Sequence, residues 1–272
     1  PFAAFQQWMQ KGFSHAAARA FWQRELATYA PDEAALWRQA IPPEQTTPIT
    51  GAPVPADHSG LSSGTRLAFS HQYQRLDGEC LVRLSAFCRR SRISLVNALQ
   101  AAWAVVLWRY GASDEVLFGT SVSGRTAPIN GIEELLGMCI NTLPTHVHLP
   151  EQASFLDICR QIASHSRAAL AHEHYPLFDM GQAIFRGRTP ITSLLLVDEL
   201  HIDERTQPTA TALGSDAGKP MALHPIEVYP LDQRTEFPAV LFARQDYDGS
   251  LELRLTTQRH LSSHTRDGRL LT

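Results

Sequence analysis

The chain has 272 residues, 44% of them apolar and 19% charged, with a formal net charge of -3. That composition belongs to an ordinary folded protein, longer than one small core needs and shorter than two full-size domains usually take. With no Lys/Arg run, binding to nucleic acid or to a membrane surface has no electrostatic basis, and no stretch of about 20 apolar residues is available to cross a bilayer.

In chain order, Phe2 to Met9 puts Phe2, Phe5 and Trp8–Met9 near one helical face, and Gly12 is placed to end that helix. Ser14 is a cap for a second helix through about Tyr29, with Ala18, Phe21, Trp22 and Leu26 as its apolar stripe and Pro31 beyond its end. Residues from about Pro42 to Gly64 are rich in Pro, Thr, Ser and Gly, the composition of a long surface connection laid across other structure as a strap. Arg66 to Leu76 alternates as a strand, and a helix from about Gly78 to Arg90 follows. Ser94 then caps the strongest helix, in which Leu95, Leu99, Trp103, Val106 and Tyr110 lie near one face and Gly111 is the stop. Glu115–Val122 and Cys139–Leu149 read as strands, Ser154–Glu173 as a long helix, and Ile191–Val197 as an inner strand. Residues 202–220 are again polar, and three more strands are expected at Ala222–Tyr229, Phe237–Ala243 and Leu251–Thr257. Strands alternating with long helices, then a run of strands, define an α/β (α+β) protein whose mixed sheet is covered by helices.

Residue by residue, the chemistry is thin. The sequence has no Gly-x-x-x-x-Gly-Lys-Ser/Thr loop, no Gly-x-Gly-x-x-Gly after a strand and no His-Glu-x-x-His. Cys80, Cys88, Cys139 and Cys159 form no Cys-x-x-Cys pair and read as reduced, mostly buried small hydrophobes. His172 and His174 are two apart on a helix and point away from each other, so His172-Glu173-His174 reads as helix-end surface or structural residues. His146 and His148 share one face of a strand, but spacing suggests no third ligand, and no metal site is assigned. Ser121-Val-Ser-Gly-Arg125 lacks the leading Gly of a nucleophile elbow. It reads as a strand running into a Gly turn with Arg125 in an ion pair, the alternative being Ser123 as a nucleophile served by a distant His. Asp198-Glu199 reads as a solvated strand end.

The order of segments says more than any single motif. Val116 to Thr126 (Val-Leu-Phe-Gly-Thr-Ser-Val-Ser-Gly-Arg-Thr), a short helix-like Gly131-Ile-Glu-Glu-Leu-Leu-Gly137, and Met138-Cys-Ile-Asn-Thr-Leu-Pro144 together resemble the condensation domains of nonribosomal peptide synthetases. Gly137, Ile140, Asn141, Thr142 and Leu143 match that family's Gly-x-Phe-Val-Asn-Thr-Leu, while Cys139 replaces its aromatic and His146 stands near where the family often has Arg. Phe2 to Trp8 resembles the family's Tyr-x-Asp-Phe-Ala-Val-Trp, keeping the aromatics and losing the Asp. Ser94 to Tyr110 is similar to the helix before the Gly-Arg strand. His172-Glu-His-Tyr-Pro-Leu177 resembles His-Gln-Asp-Tyr-Pro-Phe, and Thr192 to Val197 resembles the strand after an Arg/Ser-rich motif that is eroded here to Arg186-Gly-Arg-Thr-Pro190.

The resemblance implies one lobe of the two-lobed fold of the chloramphenicol-acetyltransferase-like superfamily. Residues 1–64 would form entry helices and an extended connection, and residues 65–272 the C-terminal lobe. It implies an acyltransferase of secondary metabolite biosynthesis that forms an amide between a carrier-bound thioester donor and an aminoacyl acceptor. By the same resemblance no cofactor would be bound directly, and the phosphopantetheine arms of carrier proteins would deliver the substrates. The family's His-His-x-x-x-Asp-Gly does not occur in the sequence. It normally precedes the Trp8 element, so the N-terminal lobe is expected to be absent, no catalytic residue is assigned, and the chain alone is expected to be inactive. Ser123, Gly124, Arg125, Gly137, Asn141, Thr142 and Ser193 are the residues the resemblance assigns to the channel wall or its support, Asn141 holding backbone in place and Ser193 facing the acceptor. The partners implied are carrier-protein domains, the N-terminal lobe and adjacent synthetase domains, with no nucleic acid and no membrane. The chain opens Pro1-Phe2-Ala3 with no basic-then-apolar leader, so it reads as a cytoplasmic piece of something longer. An epimerisation domain, a free-standing acyltransferase of the superfamily, and a non-catalytic condensation-like module that recruits a partner are the competing readings.

Overall fold

A computed structural model describes residues 2–27, 29, 69–110, 113–185, 191, 193–198, 237–245 and 249–258. Helix α1 (Phe2–Lys11) is followed by α2 (His15–Glu25), whose cap is Ser14, its hydroxyl accepting from the Ala17 N–H. Strand β1 (Phe69–Leu76) runs into α3 (Gly78–Ser91), where the Asp77 carboxylate accepts from the Cys80 N–H at 2.7 Å. Helix α4 (Leu95–Tyr110) starts at Ser94, as its hydroxyl accepts the Asn97 N–H at 3.0 Å. Strands β2 (Glu115–Val122) and β3 (Asn141–His148) come next. Helix α5 (Phe155–Ala169) opens on a capping box between Ser154 and Asp157 and ends in a 3-10 turn, Leu170–His172. Then come α6 (Leu177–Ile184), β4 (Ser193–Asp198), β5 (Ala239–Gln245) and β6 (Leu251–Gln258).

The six strands form one sheet in the order β1-β6-β5-β4-β2-β3. β2, β4 and β5 run parallel; β3 pairs antiparallel with β2, and β6 antiparallel with both β5 and β1. This is the mixed, helix-covered sheet expected from the alternation of segments. Side chains alternate between faces. Val116, Phe118 and Leu195 point to the face covered by α3, α4 and α5, where Trp103 and Ile162 are fully buried. Leu117 points the other way and packs with Ala18, Phe21, Trp22 and Leu26 of α2 and with Met180 of α6. A third cluster joins Phe5 of α1 to Ala127, Ile132, Leu135 and Cys139.

Several boundaries differ from those expected. Helix α2 stops at Glu25: Leu26 leaves helical angles (φ -106°, ψ 7°), and the next bonds tighten to Ala27 N–H to Arg24 O and Tyr29 N–H to Leu26 O. The 131–137 segment is not a helix: it makes isolated turns, among them Ile132 N–H to Ile129 O and Glu134 N–H to Gly131 O. Cys139 and Ile140 lie outside β3. Helix α6 was not expected, since Pro176 before it and Gly181 inside it mask eight residues of helix. The Pro-rich connection at 42–64, the Gly111 stop, the 202–220 stretch and the Ala222–Tyr229 strand lie outside the described residues. Among the described residues no helix is long and apolar enough to cross a membrane.

Candidate functional site: a braced turn at the end of β2

β2 ends in a turn that only glycine can make. Gly124 has φ +65°, and a Cβ added there would lie 1.8 Å from the Cys139 carbonyl oxygen. The turn therefore lies backbone to backbone against the segment that enters β3. Ser123 Oγ accepts the Arg125 N–H at 3.3 Å, tightening the corner. The Arg125 guanidinium donates from Nη1 to the carbonyls of Ile132 and Leu135, both at 2.8 Å. It makes no ion pair among the described residues, contrary to the reading from sequence alone. A planar cation fixes this loop through carbonyls because the loop, not being a helix, has carbonyls left to accept.

Asn141 begins β3 and clamps a distant segment. Its Nδ2 donates to the carbonyls of Glu173 (2.7 Å) and Tyr175 (2.9 Å), and its Oδ1 accepts the Thr142 N–H at 2.9 Å. All three polar positions of the amide plane are thereby engaged. Thr142 pairs with Ser121 in the β2–β3 register and lays its methyl against Gly119. Gly137 leaves room for the Phe2 ring, which stands 2.3 Å from where a Cβ would be.

The clamped segment carries two buried polar side chains. His174 is 7% exposed and its Nε2 is 3.0 Å from the Gly124 carbonyl, so that nitrogen is the donor. Its ring meets Trp8 edge-on at 4.8 Å and has Phe5 and Phe13 at 5.8 Å each. Glu173 is 2% exposed and accepts from the Thr126 hydroxyl. One residue earlier, Trp22 Nε1 donates to the His172 carbonyl at 3.3 Å and the His172 ring stacks on Phe21 at 4.3 Å. Burial, and then the nearby Arg24 cation, hold the His172 imidazole below its ordinary pKa. The 172–174 triplet is thus structural, and Glu173 and His174 are not surface residues. Their aromatic and carbonyl partners lie far away in sequence, so helical spacing gives no sign of them.

Six of the seven residues assigned from the resemblance, Ser123, Gly124, Arg125, Gly137, Asn141 and Thr142, converge on this corner. Ser193 stands apart. It is fully buried, its hydroxyl has no partner among the described residues, and alternation puts it on the face of Leu195 and Val197, beneath the helical layer. His146 and His148 do share a face, and both contact Glu115, at 2.5 and 2.9 Å. Among the described residues no set of three His, Cys, Asp or Glu is placed to hold a metal. All four cysteines are free, three of them buried. Outward from the braced corner, Leu136, Met138 and Ile140 present an apolar row that is 94%, 81% and 68% exposed.

Apart from the Thr126–Glu173 contact, the corner's polar side chains bond to backbone groups among the described residues, and it stands as a wall with an apolar rim. A helix-covered mixed sheet of this order, with a Gly-Arg corner braced against the entry of its edge strand, makes this an α/β protein. Within that class the chain belongs to the condensation domain family, whose model matches residues 1–196. A linear gramicidin synthase polypeptide of Brevibacillus parabrevis is 31% identical over 180 residues, 66% of this chain and 2% of that protein. Surfactin synthase subunit 2 of Bacillus subtilis (strain 168) is 30% identical over 131 residues, 48% of this chain and 4% of that protein. The chain therefore spans a few per cent of the length of these curated relatives. Among solved structures, that of holo T3CT superposes with a TM-score of 0.62 at 18% identity, over 99% of this chain and 52% of the other. A complex of the X-domain and OxyB from teicoplanin biosynthesis gives a TM-score of 0.64 at 19% identity, over 94% of this chain and 50% of the other.

Proposed function

We propose that this chain forms one wall of a condensation channel in a nonribosomal peptide synthetase. In that channel the amine of a carrier-bound aminoacyl group attacks a carrier-bound acyl thioester. The C–N bond forms, the C–S bond breaks and the thiol of the phosphopantetheine arm leaves. The work of such a site is to hold two reactants together in one orientation, with help for one proton. The observation that carries this reading is the family match over residues 1–196, which includes every residue of the braced corner. Ser123, Gly124, Arg125, Gly137, Asn141 and Thr142 support the wall and touch no reacting atom. Ser193, buried under the helices, supports the sheet rather than the acceptor. The carrier proteins are the partners that present the two thioesters, and the proposed compartment is the cytoplasm.

The proton-handling histidine of the family's His-His-x-x-x-Asp-Gly is supplied from outside these residues, because the sequence holds no such segment. The exposed row Leu136, Met138 and Ile140 supports this, since three apolar side chains directed away from their own core suit a surface that another lobe covers. The test is an amide-forming assay with two loaded carrier proteins, run with this chain alone and with a polypeptide that supplies the histidine motif. Product is expected only in the second case. Sustained turnover by the chain alone would sink the assignment of the proton-handling group.

A further inference from the structure

An open pocket of about 490 Å³ lies between the start of α2 and α6, on a part of the surface that the channel reading does not use. That volume is within the range of small-molecule sites, roughly 300–1,000 Å³. Ala16 and Ala183 leave the space, and His15, Arg19, Tyr175, Asp179 and Gln182 supply the polar groups. From these we infer that the pocket binds a small zwitterion of the α-amino-acid type, its carboxylate toward Arg19 and the first turn of α2 and its ammonium toward Asp179.

Four observations support this. First, Arg19 and Asp179 face the same pocket, yet neither pairs with the other or with any other described residue. Opposite charges set on two helices and left uncancelled match a ligand that carries both signs. Second, the Tyr175 ring is mostly buried, but its hydroxyl is not among the buried unpartnered polar atoms and makes no hydrogen bond among the described residues, so it is a polar group open to a ligand in the pocket it lines. Burial, then the Asp179 carboxylate, raise its pKa while Arg19 lowers it, so the hydroxyl lies within reach of both charges. Third, the first turn of α2 leaves one amide unused. The His15 N–H goes to Phe13 O, the Ala17 N–H to Ser14 Oγ and the Ala18 N–H to Ser14 O, while the N–H of Ala16, a residue lining the pocket, has no described acceptor. Fourth, His15 Nε2 is committed to Met9 O at 3.0 Å, which holds the imidazole at the rim as a wall rather than a competing ligand. The inference does not depend on the channel: the Tyr175 carbonyl serves the Asn141 clamp, and its phenol serves the pocket.

The experiment is calorimetric titration of the 272-residue chain with L-leucine, N-acetyl-L-leucine and L-leucinamide. The last two lack the ammonium and the carboxylate respectively. L-leucine is expected to bind saturably at millimolar concentration, and each capped form at least about tenfold more weakly. Arg19→Ala should erase the preference for leucine over leucinamide, and Asp179→Asn the preference over N-acetyl-leucine. Both residues lie at the surface of the pocket, so these variants keep their far-UV spectra. Tyr175→Phe should weaken all binding several-fold without changing the order of preference. No saturable heat with leucine up to about 100 mM, equal binding of the three compounds, or indifference of the order to Arg19→Ala and Asp179→Asn each overturns the inference.

Discussion

The two sides of the sheet are held by different means. Under α3, α4 and α5 the contacts are apolar and close-packed: Trp103, Phe118, Ile162 and Leu195 exclude water almost completely. The polar thread through that side is satisfied link by link. Asn97 donates to Gln100 at 2.9 Å, Gln100 to Thr120 at 3.2 Å, and Thr120 meets Thr145 at 2.9 Å. At the β2–β3 end, by contrast, α2, the 131–137 loop and the 172–175 segment add to their apolar contacts a few directional bonds from Asn141, His174, Arg125 and Trp22 to backbone carbonyls. The helical side is tolerant because many small contacts share the load. The braced end is intolerant in a few places, because a carbonyl that loses its donor there stays buried and unpaired.

That contrast can be broken or sharpened by substitution. Gly124→Ala is expected to be the most damaging change. It forces a side chain onto the Cys139 carbonyl at a positive φ, and a loss of about 4 kcal/mol or more in chemical denaturation is expected. A loss below about 1 kcal/mol would show that the corner yields. On the helical side, Ile162→Ala should cost about 3 kcal/mol through the cavity it leaves, while Ile162→Val should cost only about 1 kcal/mol. That graded response is the mark of shared packing. Asn141→Ala strips the donor from the Glu173 and Tyr175 carbonyls, and about 2 kcal/mol is expected from two buried acceptors left partly wet. Restoring the amide one methylene further out, in Asn141→Gln, should recover little of it.

The smallest expected effect is a dependence on pH. The folded His172 pKa is depressed by burial and by Arg24, so the unfolded chain takes up a proton first. Its contribution to stability is complete above an ordinary imidazole pKa of about 6.5 and is lost as pH falls through and below that value. Between about pH 7.5 and 5.5 the thermal midpoint of the native chain should fall about 1–2 °C further than that of His172→Gln. An equal slope in both proteins would remove His172 from the seam's energetics.

Sequence pattern was a good guide to one of these sides and a poor guide to the other. The stripe of Leu95, Leu99 and Trp103 and the alternation of Val116 and Phe118 are local, periodic signals, and they led directly to the helical layer and the mixed sheet. Asn141 drew attention only through the resemblance, and Gly124 and Arg125 read from sequence alone only as a Gly turn and an ion pair, because nothing near them in sequence shows the carbonyls they meet. Arg125 illustrates the limit. A lone arginine after a glycine suggests a carboxylate partner, whereas the non-helical 131–137 loop supplied carbonyls instead. His174 illustrates another, as its aromatic neighbours come from α1 and from Phe13, about 160 residues earlier in the chain. Helix α6 and the pocket beside it gave no advance sign, for eight residues that follow a proline and contain a glycine carry too short a period to read.

The pairing of β1 with β6 sets a timetable for assembly. Phe69 meets Gln258 and Leu76 meets Leu251, so β1, an edge strand whose one neighbour in the described sheet is β6, cannot dock until residues 251–258 have emerged from the ribosome. The β2–β3 hairpin and α5 close over far shorter spans and can settle during translation. Until then the nascent polypeptide carries an unmatched strand from residue 69 to 76, and the last eight residues of the described sheet are the ones that retire it.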